Sequence, residues 1–298
     1  MWIKASCRLS ENVFLLATQV STHFLVSDDL TALTDTGISA VHSQLKSEID
    51  AAFFEGQTLN YLLITHSHFD HVGGVPLLRR AFPKIELVVS KETAELLRNR
   101  DNLEQTFEKN RACAEAMRAP FDISLDDWCA AFVPERVLGD GDIVKLGEDV
   151  EVKVISTPGH TVDACAYMIR PDGAIYGSES LGGYQGRDRV SPCFLQNYHD
   201  YVYSLDRISG LDVSIVGLPH AGALTGELAR KFLMESRVAA ETFYSTVKQR
   251  VEQGEIVDEI LAEILIDWQE QNVAPEGPFI AEQKETLREM IKVAAGAV

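Results

Sequence analysis

Three of the chain's eight histidines fall within six residues, in the run Thr65-His66-Ser67-His68-Phe69-Asp70-His71. Neutral imidazole nitrogens and carboxylate oxygens are donors that Zn²⁺, Fe²⁺ or Mn²⁺ accept at about 2.0 to 2.2 Å. If the run continues a strand, His66 and His68 alternate by two and point to one side, and a following turn can return Asp70 and His71 to the same place. Four such donors are more than one cation uses comfortably beside further ligands, so the spacing predicts two metal ions. The flanks argue against a chance cluster of surface histidines: the apolar run Tyr61-Leu62-Leu63-Ile64 leads in, and Gly73-Gly74 leads out.

These residues need strands to carry them. Short β-branched and apolar runs from Val13 to Val26 and from Leu59 to Thr65 read as strands of a buried sheet. A hairpin around Ser27-Asp28-Asp29 delivers Asp35 and Gly37 to the end of its second strand. From Glu92 to Met117 the pattern turns helical, with Leu96, Leu103, Phe107, Ala114 and Met117 recurring among charged residues, and this predicts a helical insertion. Strands return at 142–147, 150–157, 164–170 and 174–178, separated by Gly-Asp, Gly-Glu-Asp and Pro-Asp-Gly turns. A turn-rich loop from Leu181 to Phe194 precedes a helix at 200–208 and a strand at 213–220. After Ala223 the chain reads as helix, broken at Pro275-Glu276-Gly277-Pro278, with Ile256, Ile260, Ile264 and Trp268 marking an apolar stripe of the kind that usually faces a core.

The 298 residues, 46% hydrophobic and 24% charged, suit a globular chain with a sizeable core. A formal charge of −18 repels a phosphate backbone, so nucleic acid is not an expected partner. No apolar run approaches the ~18 residues of a membrane span. The N-terminal apolar stretch is interrupted by Arg8, Ser10, Glu11 and Asn12, which is too broken for a signal-peptide core. Cys7, Cys113, Cys129, Cys165 and Cys193 are odd in number and form no C-x-x-C pair, so a reducing compartment, the cytoplasm, is expected.

His66, His68, Asp70 and His71 together resemble the H-x-H-x-D-H signature of the metallo-β-lactamase fold superfamily. Further likenesses follow in that family's order: Asp35-Thr36-Gly37, Thr157-Pro158-Gly159-His160-Thr161, Gly177-Ser178-Glu179 and Leu218-Pro219-His220-Ala221-Gly222. The resemblance covers about Val13 to Ala223. It implies an α/β protein, an αββα sandwich of two mixed sheets with metals at one edge, carrying a helical insertion at about 92–135 and a helical C-terminal cap. The corresponding division is a metallo-β-lactamase-like domain at 1–223 and a helical extension at 224–298 packed on the core or cap. Carried over by motif, His66, His68 and His160 hold a first metal, and Asp70, His71 and His220 a second, with Asp70 also in the catalytic role. Asp35 supports the histidine loop without binding metal. His23, His42 and His199 match no motif and read as structural or surface residues.

One position departs from the family. An aspartate normally bridges the two metals where this chain has Glu179, which could bridge with a shifted backbone, bind one metal, or swing away. Asp172 is another carboxylate nearby in sequence, in a Pro-Asp-Gly turn that reads as solvated. His68 fits the hydrolases, since the flavodiiron oxygen reductases place a glutamate there. The helical insertion and long helical C-terminus most resemble the bacterial quinolone-signal-response thioesterase and its relatives. The glyoxalase II branch performs the same class of chemistry, but its glutathione-binding basic residues cannot be located here.

The expected activity is metal-dependent hydrolysis of a small thioester, ester or lactone. Water held by such cations has its pKa lowered from ~15.7 toward about 7, giving hydroxide at neutral pH. A thiolate leaving group, with a pKa near ~8.5, needs little protonation. Two other readings stand beside it: a non-hydrolytic, iron-loaded redox or oxygen-binding protein, and a signalling protein with a partial metal site. The expected partner is a small-molecule substrate, with neither nucleic acid nor membrane, and the sequence is compatible with a homodimer. Tyr184, Arg187, Arg189 and Phe194, on the 181–194 loop, are candidates for the pocket mouth.

Overall fold

β-Branched and aliphatic residues at every second position build two seven-stranded sheets. The computed structural model describes residues 1–53, 57–187, 189–270 and 280–296, without the side chains of 267–270 and 280. The chain divides into two compact units. The first comprises Met1–Thr157, Asp163–Ser178 and Asp212–Arg230, the second Pro158–Val162, Glu179–Leu211 and Lys231–Val298.

The first unit begins with the two-residue strands β1 (Trp2–Ile3) and β2 (Cys7–Arg8). The antiparallel β3 (Val13–Ala17), β4 (Thr22–Ser27) and β5 (Thr31–Thr34) come next. Parallel pairing then adds β6 (Tyr61–Leu63), β7 (Glu86–Ser90) and β8 (Arg136–Leu138), giving one sheet in the order β2-β3-β4-β5-β6-β7-β8. The other sheet holds β9 (Ile143–Lys145), β10 (Glu151–Ser156), β11 (Cys165–Arg170) and β12 (Ala174–Tyr176). Once the strands at Ile215–Leu218 and Gly222–Thr225 are added, β1 closes its far edge by pairing Trp2 with Leu224 and Ile3 with Ala223. Leu224 and Thr225, which read as the start of the helical stretch after Ala223, therefore belong to a strand, because its partner at the chain's start satisfies its backbone groups.

Period-two alternation decides which side chains go where. Val13, Leu15, Phe24 and Val26 face the second sheet and meet Val152, Val154, Tyr167 and Ile169 in one core. Leu16, Leu25, Leu33 and Leu62, one residue out of phase, form a second core with the helices. Those helices are α1 (His42–Ala52), α2 (Phe69–Val72), α3 (Val75–Ala81), α4 (Lys91–Arg98), α5 (Arg100–Met117) and α6 (Leu125–Ala130). Ser90, Asn99 and Ser124 cap α4, α5 and α6 by accepting first-turn backbone N–H groups. The stretch expected as an insertion supplies Leu97, Leu103, Trp128 and Phe132 to the second core, so it is a structural layer of this unit.

The second unit carries the hairpin β13 (Gly183–Tyr184) and β14 (Val190–Ser191), then α7 (Tyr198–Ser209). Between them in sequence and the C-terminal helices lie β15 (Ile215–Leu218) and β16 (Gly222–Thr225) of the first unit. The long α8 (Glu227–Glu252), α9 (Val257–Glu270) and α10 (Ile280–Ala295) follow. Phe194 is fully buried against Tyr198, Tyr201 and Phe243, and Tyr198 stacks on Tyr244 at 3.8 Å between ring centroids. Of the expected stripe, Ile260 is buried and Ile256 is exposed, while the Trp268 side chain and the 275–278 break lie outside the described residues. Arg288 of α10 pairs with Asp258 of α9 at 2.6 Å, and Leu287 and Ile291 are buried. Among the described residues, no helix is long and apolar enough to cross a membrane.

Candidate metal centre

β6 ends at Leu63, so His66 and His68 lie in a loop beyond the strand and not in its continuation. A buried carboxylate ties the two ends of the loop together. Asp35, at the end of β5, accepts Thr65 N at 2.8 Å, Thr65 Oγ1 at 2.8 Å and His71 Nδ1 at 2.8 Å. Its φ of 52° is left-handed, a conformation that aspartate tolerates better than bulkier residues do. His68 then starts the short α2, which carries Asp70 and His71. Thr36 fixes the far side, its backbone N–H and Oγ1 both donating to His71 O at 2.8 and 2.9 Å. Gly74 is required here because a Cβ would sit 2.6 Å from Thr36 O.

Within the first unit this architecture brings together His66, His68, Asp70, His71 and His220. The His66 ring centroid lies 4.5 Å from that of His68 and 4.0 Å from that of His71. Asp70 Oδ2 is 3.8 Å from His71 Nε2 and 3.3 Å from His220 Nε2. Donor atoms of Asp70, His71 and His220 all fall within 4.8 Å of one another.

The hydrogen bonds on the remote ring nitrogens decide what those donors are. His71 Nδ1 faces the Asp35 carboxylate, and His220 Nδ1 faces Val20 O at 3.1 Å. A carboxylate and a carbonyl only accept, so both Nδ1 atoms carry the proton and both Nε2 atoms are lone-pair donors. A carboxylate oxygen and two imidazole lone pairs converging in this way can hold a divalent cation, and the acceptors behind the rings are of the kind that orient metal-binding histidines.

In the second unit, His160 follows the same rule. Its Nδ1 donates to Cys193 O at 2.9 Å, and its Nε2 lies 3.7 Å from Glu179 Oε2. Glu179 stands in the 3₁₀ turn Ser178–Leu181, where its carbonyl accepts Gly182 N at 2.9 Å and Tyr201 Oη at 3.2 Å. The turn anchors the Glu179 backbone beside His160.

Other residues singled out in the sequence have plain structural roles. Asp172 is half-buried and accepts from Asn12 N and Asn12 Nδ2 at 3.2 and 3.0 Å, so it ties down a loop while keeping part of its surface in solvent. His23 is buried between Ser21 Oγ at 2.8 Å and Thr34 O at 3.1 Å, and burial pushes its pKa down to about 3. His42 is lowered to about 4 by burial and by nearby Lys46 and Arg80. Tyr184 packs on Phe232, and Phe194 is core, whereas Arg187 is exposed.

Two supports of the histidine loop carry no sequence motif. Asp163, buried, accepts Ser67 N at 2.8 Å and Thr93 Oγ1 at 3.0 Å through Oδ2. Asn110 of α5 accepts Ser39 N at 2.8 Å and donates to Phe69 O at 2.9 Å. A Cβ on Gly73 would lie 2.1 Å from Asn110 Oδ1, which accounts for the first of the paired glycines.

The chain resembles known proteins in sequence and in fold. The chain is 28% identical over 158 residues to a hydroxyacylglutathione hydrolase of Bradyrhizobium sp., a match spanning 53% of this chain and 47% of the relative. It is 32% identical over 148 residues to the hydroxyacylglutathione hydrolase of Nitrobacter winogradskyi, spanning 49% and 44%. The chain thus spans about half the length of the curated relatives it matches. Among solved structures, an archaeal metallo-β-lactamase superfamily protein from Sulfolobus tokodaii aligns with a TM-score of 0.55 at 22% identity, over 93% of this chain and 92% of that one. A subclass B3 metallo-β-lactamase of Bradyrhizobium japonicum aligns at 0.58 and 17% identity, over 85% and 98%. These likenesses show the fold, and the model of the metallo-β-lactamase superfamily matches residues 15–220, the span that carries all seven candidate ligands: the chain belongs to that superfamily.

Proposed function

We propose that the protein is a metal-dependent hydrolase of a small thioester, ester or lactone, using two divalent cations, zinc or iron, with manganese also suited to the donors. The observation that carries the reading is the shared commitment of His71, His160 and His220: each donates from Nδ1 to an oxygen that can only accept, which makes Nε2 a ligand atom. The order of motifs assigns His66, His68 and His160 to one cation and Asp70, His71 and His220 to the other, with Glu179 in the bridging place. The names of the curated relatives support hydrolysis of an acyl-glutathione-like thioester class over other family chemistries.

A divalent cation at this centre supplies a water of lowered pKa and polarises the electrophile. The protein's own residues do the rest. Asp70, one-quarter exposed, can accept a hydrogen bond from the attacking water and so orient it. Asp35 keeps His71 in a single tautomer, and the Cys193 carbonyl does the same for His160. A thiolate departs without a proton donor, which suits a site rich in acceptors. The odd number of cysteines and the lack of a C-x-x-C pair support a reducing, cytoplasmic setting for the proposed enzyme.

The test is metal analysis and a visible spectrum of protein purified without added metal, together with hydrolysis of an acyl thioester of a small thiol. Metal uptake and hydrolysis, both lost in His68→Ala and His71→Ala variants that remain folded, are the expected result. A chain that takes up no metal overturns the reading. Two irons with an oxygen-sensitive spectrum and no hydrolysis would favour the redox alternative.

A further inference from the structure

His220 stands at the tip of the β15–β16 hairpin, where Leu218 pairs with Gly222 and Pro219-His220-Ala221 form the turn. Its side chain is 46% exposed, so packing alone gives it little orientation. What fixes the tip comes from the opposite sheet. Thr22, the first residue of β4 and itself buried, donates from Oγ1 to Leu218 O at 2.6 Å and accepts Gly222 N at 3.2 Å through the same oxygen. Its backbone N–H donates to Pro219 O at 2.6 Å. Its carbonyl accepts Tyr176 Oη at 2.8 Å, which ties Thr22 to β12. Two residues earlier in the same segment, Val20 O receives the His220 Nδ1 proton at 3.1 Å.

A single hydroxyl thus sits between the carbonyl and the N–H that close the hairpin. A hydroxyl can donate once while accepting, which matches both neighbours. Because Thr22 and Val20 belong to one short segment, the clamp on the hairpin backbone and the acceptor for the imidazole move together. We propose that Thr22 is the positioning residue for His220, setting the distance between His220 Nε2 and Asp70 Oδ2 at which a cation is taken. The inference rests on the metal-dependent reading above.

The experiment compares the full-length chain with Thr22→Val, which keeps the shape and removes the hydroxyl, and with Thr22→Ser, which keeps the hydroxyl. Stripped proteins are titrated with Zn²⁺ against a chromophoric chelator, and the His220 tautomer is read by ¹⁵N-detected imidazole NMR on the metal-free proteins. In Thr22→Val one equivalent is expected to bind as in wild type and the other about 10- to 100-fold more weakly, the range seen when an orienting partner is lost. The His220 signal should pass from the Nδ1–H form to an average of tautomers. Thr22→Ser should restore both readouts. Two unchanged equivalents and an unchanged tautomer in Thr22→Val overturn the proposal while leaving the metal reading intact. So does equal weakening of both equivalents with a lowered Tm, which would mark a general structural role. If wild type binds no zinc, the metal reading fails, and a tautomer shift in Thr22→Val that Thr22→Ser reverses still supports the clamp.

Discussion

Asp35 Oδ2 and His71 Nδ1 lie 2.8 Å apart, each about 1% exposed, and this buried contact joins the end of β5 to the helix turn that carries Asp70. The same carboxylate accepts both Thr65 donors, so three N–H and O–H groups converge on one anion. An amide there turns an N–H₂ toward one of those donors. Asp35→Asn should therefore lower stability by about 1–3 kcal/mol, the usual cost of an unsatisfied buried donor. It should also weaken metal binding by ~10- to 100-fold. Urea unfolding and zinc titration check both, and unchanged values would show that the contact does not hold the loop.

Glu179 is the position where the chain leaves its family's usual residue. Its Oε2 lies 3.7 Å from His160 Nε2, and its backbone is held by Gly182 and Tyr201. With the longer side chain as an imperfect bridge, one metal equivalent should bind more weakly than the other in wild type, and Glu179→Asp should narrow the gap. Calorimetric titration of both proteins decides the matter. Two equally tight equivalents in wild type, with one lost in Glu179→Asp, would establish glutamate as the native bridge.

His23 gives a pH dependence whose sign is fixed by burial. Its pKa is lowered from 6.5 to about 3, first by desolvation and then by the nearby His71 and His220. Between those values the unfolded chain binds the proton and the folded chain does not, so stability rises with pH. The contribution of this residue is full above about pH 6.5 and declines as the pH falls toward 3, with a slope of about 1 kcal/mol per pH unit. Replacing it by Gln should flatten the pH profile of the denaturant midpoint across that window, whatever the change in absolute stability. A profile as steep as wild type would assign the acid sensitivity to other groups.

Trp128 tests whether the helices at 91–130 are part of the core. It is fully buried, with ring centroids 5.7 Å from Phe107, 6.1 Å from Phe121 and 5.5 Å from Phe132, and Nε1 donates to Thr106 Oγ1 at 3.3 Å. Trp128→Ala should cost about 3–5 kcal/mol, as a large cavity in a packed core does. A loss below about 1 kcal/mol by chemical denaturation would show a layer that folds separately from the sheet.

Element types are legible in residue order wherever a periodic pattern runs long enough, and the local motif wherever candidate ligands are neighbours. The hairpin that ends in Asp35, the strands from β9 to β12, the helix α7 and the cluster from His66 to His71 are all legible in this way. Local residue order reports backbone preference and face, and those follow from sterics within a few residues. Tertiary structure decided what depends on distant partners. β1 and β16 are too short or too ambiguous to read as strands until Trp2–Ile3 pairs with Ala223–Leu224. Asp163 under Ser67, Asn110 against Phe69 and Thr22 between Leu218 and Gly222 are polar contacts across 41 to 200 residues. One hydrogen bond between residues so far apart leaves no period in the sequence, and only packing the two sheets together brings donor and acceptor within reach.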